Sequence, residues 1–490
     1  MPATEQRPSN RVLVVFGATG DLAARKLFPG LFHLYRQRLM PDDFRIIGSG
    51  RNSPGTDDEF RGRINQALQD HGRGELDECW DEFAARLSFV VSSADDGADL
   101  ATAVTEAESA IDAQGERLVY LSVPPAAMQD MVKMLGQTGI AEHCSLVVEK
   151  PFGHDVASAR RLNAALHEVL DEESIYRIDH FLGKEAAQNI LVARFANGIL
   201  EPVWNRDHVA YVQIDVPEEL DIQGRAGFYE QTGAFRDMVV THLMQILGIV
   251  ALEPPTRLDA ESLHLERTKA FQAIRPLDPN RVVFGQYDGY REQADVADDS
   301  RVETFAALEV FVDTWRWSGV PFYLRTGKSL AEGRRTVTIG FTEAPLRMFP
   351  NHDPDERPRP SELIFELSDD PQVRIEVQAK VPGPKIDIGR AALTLDVDAA
   401  FNGADGLEAY ERLLHDVMLR ERLLFTRAQQ IERLWEVCAP VIDDPPAPLA
   451  YAQGSWGPQA ALQLPGEIGW RLPDAPAEHP RQSPGSQPRR

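Results

Sequence analysis

The stretch that decides the fold spans residues 12 to 23, Val12-Leu13-Val14-Val15-Phe16-Gly17-Ala18-Thr19-Gly20-Asp21-Leu22-Ala23. A β-branched apolar run of this length reads as a buried strand. It passes directly into a glycine turn, and a helical pattern over 22–38 follows with Leu27, Leu31 and Leu34 on one stripe. Glycines at such a turn let the backbone approach a pyrophosphate, and the next helix offers unpaired N–H groups and a positive end. The spacing is GxxGxxA, not GxGxxG, so its meaning comes from its place between a first strand and an amphipathic helix. A glycine-rich turn that only closes a βα unit is the alternative.

Outward from this point, apolar runs at 45–48, 88–91, 118–123, 146–149 and 175–178 alternate with helical patterns at 126–135 and 156–170, the latter behind the candidate N-cap Asp155. Strands alternating with helices predict an α/β Rossmann domain with a doubly wound parallel sheet. Beyond about residue 185 the texture changes. Segments 209–216, 303–312, 336–341, 362–367, 373–379 and 392–397 read as strands, many with period-2 alternation, and helical stretches at 184–196, 233–250 and 407–437 interrupt them. This predicts an α+β part, a larger domain with a mainly antiparallel sheet and helices. The expected division is 11–185 for dinucleotide binding and 186–470 for the substrate domain. Residues 471–490, rich in Pro, Ser, Gln and Arg, read as a disordered tail.

The chain has 490 residues, 43% hydrophobic and 26% charged, which are ordinary globular values. Acidic residues number 76 against 51 basic ones, a formal net charge of −25. Such a surface repels phosphate backbones and anionic lipid, so nucleic-acid and membrane partners are not expected. An anionic small molecule would need a local basic pocket. The three cysteines, Cys79, Cys144 and Cys438, form neither a disulfide framework nor a metal clip, which fits a reducing, cytoplasmic setting. The polar N-terminus lacks the apolar core of a secretory signal. The apolar stretch 238–252 carries Thr241, His242 and Gln245 and is too short and polar to span a bilayer. The histidine spacings match no zinc motif, so no metal is expected.

Four further runs carry candidate chemistry. The second strand candidate ends in Ser49-Gly50-Arg51. An acidic residue there suits the ribose hydroxyl of NAD, whereas Arg51 suits the 2′-phosphate of NADP. Arg177-Ile178-Asp179-His180-Phe181-Leu182-Gly183-Lys184-Glu185 sits where a strand ends and a helix begins. His180, Lys184 and the helix N-terminus can converge there on one phosphate. Glu149-Lys150-Pro151-Phe152 closes the preceding strand and points Lys150 at the same carboxyl edge. In Arg236-Asp237-Met238-Val239-Val240-Thr241-His242-Leu243, the spacing of five puts Asp237 and His242 on neighbouring faces of a regular α-helix, not on one face. His242 would by default be a core histidine. It becomes a catalytic base if a carboxylate from the other domain reaches it, and Asp179 is the candidate partner.

Taken together, FGATGDLAARK (16–26), YLSVPP (120–125), EKPFG (149–153), RIDHFLGKE (177–185), the GR-x-GFYE-x-x-GAFRD-x-x-x-x-HL stretch (224–243), RTGK (325–328), AKVPG (379–383), AYERLL (409–414) and YAQGSWGP (451–458) resemble the glucose-6-phosphate dehydrogenase family. The resemblance implies oxidation of glucose 6-phosphate at C1 to the 6-phosphoglucono-lactone, with hydride transfer to NADP, in the pentose phosphate pathway. It implies that His242 is the general base and Asp179 its paired carboxylate. His180 and Lys184 fall on phosphate-binding positions, and Lys150, Glu218, Asp237 and Lys328 on other substrate-contacting ones. Gly17, Ala18, Thr19, Gly20, Asp21, Leu22, Arg51, Tyr120 and Lys150 fall on the cofactor side. The resemblance also implies a homodimer or homotetramer, with the large sheet in the dimer contact.

The chain departs from the family pattern at Phe181, where tyrosine is common, at Gly333, where a basic residue is expected with Arg334 next to it, and at Ala24, where lysine is frequent. The competing enzyme class is a Rossmann sugar oxidoreductase of the glucose–fructose oxidoreductase type. It shares the glycine turn and an EKP run, acts on unphosphorylated sugar, and does not account for RIDHFLGKE.

Overall fold

The computed structural model describes residues 7–73, 79–113, 115–346, 348–350, 359–368, 371–401 and 406–472. Most of the tail expected at 471–490 lies outside the described residues.

The first third forms a six-stranded parallel sheet in the order β3-β2-β1-β4-β5-β6. Its strands are β1 (Arg11–Phe16), β2 (Phe44–Gly50), β3 (Leu87–Val91), β4 (Arg117–Leu121), β5 (Cys144–Glu149) and β6 (Ile175–Ile178). Every residue of β1 is buried, because crossover helices cover both faces of a doubly wound sheet. The strand order reverses between β1 and β4, and ligands of open α/β sheets bind outside the carboxyl ends at that switch point. The expected N-cap is present. Asp155 Oδ1 accepts the Ser158 N–H at 2.6 Å and starts the helix Val156–His167.

The second sheet has nine strands in the order β14-β13-β12-β11-β7-β10-β9-β8-β15. They are β7 (Val209–Pro217), β8 (Val282–Tyr287), β9 (Phe305–Phe311), β10 (Pro321–Gly327), β11 (Thr336–Phe341), β12 (Glu362–Glu366), β13 (Gln372–Lys380), β14 (Ile388–Asp396) and β15 (Leu449–Tyr451). Most pairs are antiparallel, but β7 pairs with β10 in parallel, as does β8 with β15. Three strands escape the sequence reading. β8 is interrupted by Gly285, β15 has only three residues, and β10 opens on a proline and carries Arg325. Arg325 is tolerated inside the sheet because its Nε donates to Asp215 Oδ1 on the neighbouring strand at 2.8 Å.

The helical pattern at 407–437 is not one helix. Arg420 adopts φ 59° and separates Ala409–Leu419 from Ala428–Asp443. The apolar segment near 240 is helical in a wider form than expected, a π-helix over Phe235–Leu243 that continues as the α-helix Met244–Ala251. It packs on β9 and β10 and against the helix Ala428–Asp443. The whole stretch Ala226–Ala251 has the length and hydropathy to cross a bilayer, yet most of it is buried within the protein. It is the apolar core between sheet and helices.

Candidate active site

Four carboxyl edges meet in this site. β6 delivers Asp179 and His180, β5 delivers Glu149 and Lys150, and the parallel neighbours β7 and β10 deliver Glu218 and Lys328. The register pairs Pro217 with Gly327, so the next residues on both strands lie side by side, and Glu218 forms an ion pair with Lys328.

The π-helix supplies the rest. Its bonds close over five residues instead of four, so residues five apart stack on one face. That corrects the expectation from α-helical geometry. Asp237 and His242 do share a face, and both reach one ammonium. Lys150 Nζ donates to Asp237 Oδ1 at 2.8 Å and to His242 Nε2 at 2.6 Å. On its other side, His242 Nδ1 donates to Asp179 Oδ1 at 2.6 Å. With Nε2 accepting from Lys150, the ring proton sits on Nδ1. Both dyad residues are buried, His242 completely.

Asp179 also caps the short helical turn after β6, its Oδ1 accepting the Phe181 N–H at 2.9 Å. Burial pushes its carboxyl up, but His242 and that N–H outweigh burial and hold it below the usual carboxylate range. Asp237 follows the same logic. Burial raises it, the Lys150 ammonium lowers it more, and it ends at about 2. His180 is driven well below the ordinary imidazole value, first by burial and then by the neighbouring His242. It is therefore a neutral ring that can offer one N–H to an anion. Asp179, His180 and His242 bring their ligand atoms within 4.8 Å of one another, and the Lys150 ammonium lies against His242 Nε2, a cation on the lone pair that a metal ion would need.

The remaining predicted residues stand as follows. Lys184 stands at the N-cap position of the helix Glu185–Ala196, where its side chain makes no capping hydrogen bond. Gly17, Ala18, Thr19 and Gly20 form the turn leaving β1, and Asp21 and Leu22 open the helix that follows. Gly17 has φ +70°, and a Cβ there would lie 2.0 Å from the Ser122 carbonyl oxygen. Only glycine lets the exits of β1 and β4 close together, which is the cradle a dinucleotide pyrophosphate requires. Arg51 follows β2 directly and is exposed. Tyr120 is buried in β4, and its hydroxyl donates to Glu149.

Two residues were not singled out from sequence. Glu149 accepts the hydroxyls of Tyr120 and Tyr410, and burial lifts its carboxyl to about 7. The Tyr410 ring stacks on His180 with centroids 6.0 Å apart and planes at 11°. Both lie in quoted runs, EKPFG and AYERLL, but nothing in their spacing says that strand and helix meet.

Comparison with known proteins bears on the whole chain. The family model described as glucose-6-phosphate dehydrogenase, NAD binding domain, matches residues 14–189, and the one for the C-terminal domain matches 191–471. The chain belongs to the glucose-6-phosphate dehydrogenase family. It is 37% identical over 470 residues to glucose-6-phosphate 1-dehydrogenase 1 of Mycobacterium tuberculosis, covering 95% of this chain and 97% of that one. The structure of glucose-6-phosphate 1-dehydrogenase from Mycobacterium avium superposes with a TM-score of 0.84 at 37% identity, covering 96% of this chain and all of that one. A glucose-6-phosphate dehydrogenase solved in complex with glucose-6-phosphate superposes with a TM-score of 0.87 at 30% identity, covering 96% and 99%.

Within this family frame the departures acquire surroundings. Phe181 is buried, and its ring lies 4.6 Å from that of His242, so it walls the imidazole. The N–H of Gly333 donates to Glu219 at 2.9 Å. Arg334, the expected stand-in for a basic residue at 333, is paired with Glu366 instead. Arg335 is the arginine beside the site, 3.9 Å from Glu218.

Proposed function

We propose that this protein oxidises glucose 6-phosphate at C1 to the lactone with NADP as hydride acceptor, the first oxidative step of the pentose phosphate pathway. The observation that carries the mechanism is the Asp179–His242–Lys150 chain of hydrogen bonds. The C1 hydroxyl must lose a proton as the C1 hydride leaves. His242 Nε2 is the acceptor, and the buried carboxylate on Nδ1 holds the tautomer and stabilises the imidazolium that forms. Lys150 occupies Nε2 before substrate arrives and has Asp237 as its second anchor, so the incoming hydroxyl displaces it from the base but not from the site.

Family membership and the local chemistry support the other roles. His180 and Lys184 hold the phosphate, with His180 a neutral donor. Glu218, Asp237 and Lys328 receive the sugar hydroxyls. The turn Gly17–Gly20 and the helix start at Asp21 and Leu22 hold the pyrophosphate, Tyr120 and Lys150 flank the cofactor, and Arg51 holds the 2′-phosphate. NADP, when bound, supplies the hydride acceptor.

The setting is cytoplasmic, with a small-molecule substrate, no nucleic-acid or membrane partner, and a homo-oligomer joined through the large sheet. Leu393 and Leu395 on β14 are 65% and 51% exposed, an apolar strip that a second copy would cover. The experiment is a four-way assay of cofactor reduction, with glucose 6-phosphate or glucose, each with NADP or NAD. Fast reduction of NADP with only the phosphorylated sugar is expected. Turnover of free glucose would instead favour the sugar oxidoreductase class.

A further inference from the structure

The Asp179 carboxylate has a second oxygen that the pairing with His242 leaves over. Oδ1 accepts from both the imidazole and the Phe181 N–H, whereas Oδ2 is buried and has no partner among the described residues. A buried polar atom of this kind calls for a partner, and ordered water is the usual one. A second such atom lies close by in the fold. Thr426 is 2% exposed, and its Oγ1 is likewise unpartnered among the described residues.

Asp179 and Thr426 line one cavity of about 10 Å³, together with Gln245 and the apolar walls of Phe152, Leu434 and Trp435. That volume is about one water molecule's worth of room. Gln245 Oε1 accepts from Arg267 at 2.5 Å, and its amide nitrogen carries N–H donors that it can offer the cavity. A water there would donate to Asp179 Oδ2 and to Thr426 Oγ1 and accept from Gln245. Three partners are typical of a buried structural water.

We propose that this cavity is a structural water site behind the dyad, and that Thr426 is a positioning residue which acts through that water on Asp179. The proposal rests on the reading of His242 as the base. A carboxylate held by both oxygens cannot turn away from Nδ1, so it keeps the imidazole in its tautomer and its charge in place under the forming imidazolium. Thr426 is well placed to report on that geometry. It sits between the helices Ala409–Leu419 and Ala428–Asp443, and its backbone bridges to Arg177, two residues before Asp179.

The test is a crystal structure of the wild-type protein together with kinetics of Thr426→Val, Thr426→Ala and Thr426→Ser. The expected map shows one water within hydrogen-bond distance of Asp179 and Thr426. Thr426→Val loses it, with kcat down about tenfold and the KM for glucose 6-phosphate within about twofold. Thr426→Ala, which also lacks the hydroxyl, gives the same fall if the valine variant does not fold. Thr426→Ser restores both water and rate. A wild-type cavity without density, in a map that shows other buried waters, overturns the proposal. So does a hydroxyl-free variant that keeps the wild-type kcat. His242→Asn run alongside separates the two readings. If it turned over normally, the base assignment would fail while the water density stood.

Discussion

His242 has its two ring nitrogens committed to different tasks, one to Asp179 and one to Lys150. That division predicts the outcome of single substitutions. His242→Asn keeps a polar side chain but no base, and kcat is expected to fall by about 10²–10⁴-fold with the fold intact. Near-normal turnover of a folded variant would remove His242 from the mechanism. Arg51→Ala is expected to raise the KM for NADP far more than that for NAD, because only the former carries a 2′-phosphate. Equal changes in the two constants would show that Arg51 does not read that phosphate. Arg51 is exposed, so the variant should leave stability nearly unchanged, which keeps the kinetic reading clean.

The element that matters most is the π-helix Phe235–Leu243, and its entry is built around one glycine. Gly233 has φ 66° and ψ 170°, a conformation almost confined to glycine. A Cβ there would meet the Glu303 carboxylate at 2.3 Å. Gly233→Ala is expected to cost about 1–3 kcal/mol and to lower kcat by displacing Asp237 and His242 together. Unchanged urea midpoint and activity would contradict it. Glu303 in turn accepts the Phe235 N–H at 2.9 Å, and burial raises its carboxyl to about 7. The folded state then keeps a proton that the unfolded chain releases near its ordinary carboxylate value. This contribution to stability is complete below about pH 4.5 and is lost as pH rises through about 7. Relative to Glu303→Gln, the wild type should therefore lose ground between about pH 5 and about pH 8. A urea-midpoint difference that is the same at both values would rule this out.

At the scale of the whole molecule, the nine-stranded sheet ends in an exposed edge. β14 carries Leu393 and Leu395, and Ile386 just before it is 61% exposed. An uncovered apolar edge of a large sheet is a ready surface for association. Sedimentation of the wild type is expected to give a dimer or a tetramer, and Leu393→Glu is expected to shift it toward monomer. A wild-type monomer at micromolar concentration would end the assignment of this face. The −25 net charge makes the local cluster of Lys150, His180 and Lys184 stand out, since a long-range acidic field must be overcome wherever an anion is to bind.

The amino-acid sequence by itself determined the alternation of strands and helices in the first third, the glycine turn, the N-cap at Asp155 and the family. These depend on local periodicity, turn chemistry and short motifs, which are written in consecutive residues. It also named the dyad, as a pairing of Asp179 and His242 across the chain. Only the tertiary structure decided that Asp237 and His242 share a face, since a π-turn differs from an α-turn by one hydrogen-bond step that the side chains do not announce. Only it placed Glu149 against Tyr410, Arg335 in place of Arg334 beside Glu218, and Thr426 behind Asp179. Those contacts join residues more than a hundred positions apart, and packing, not propensity, brings them together.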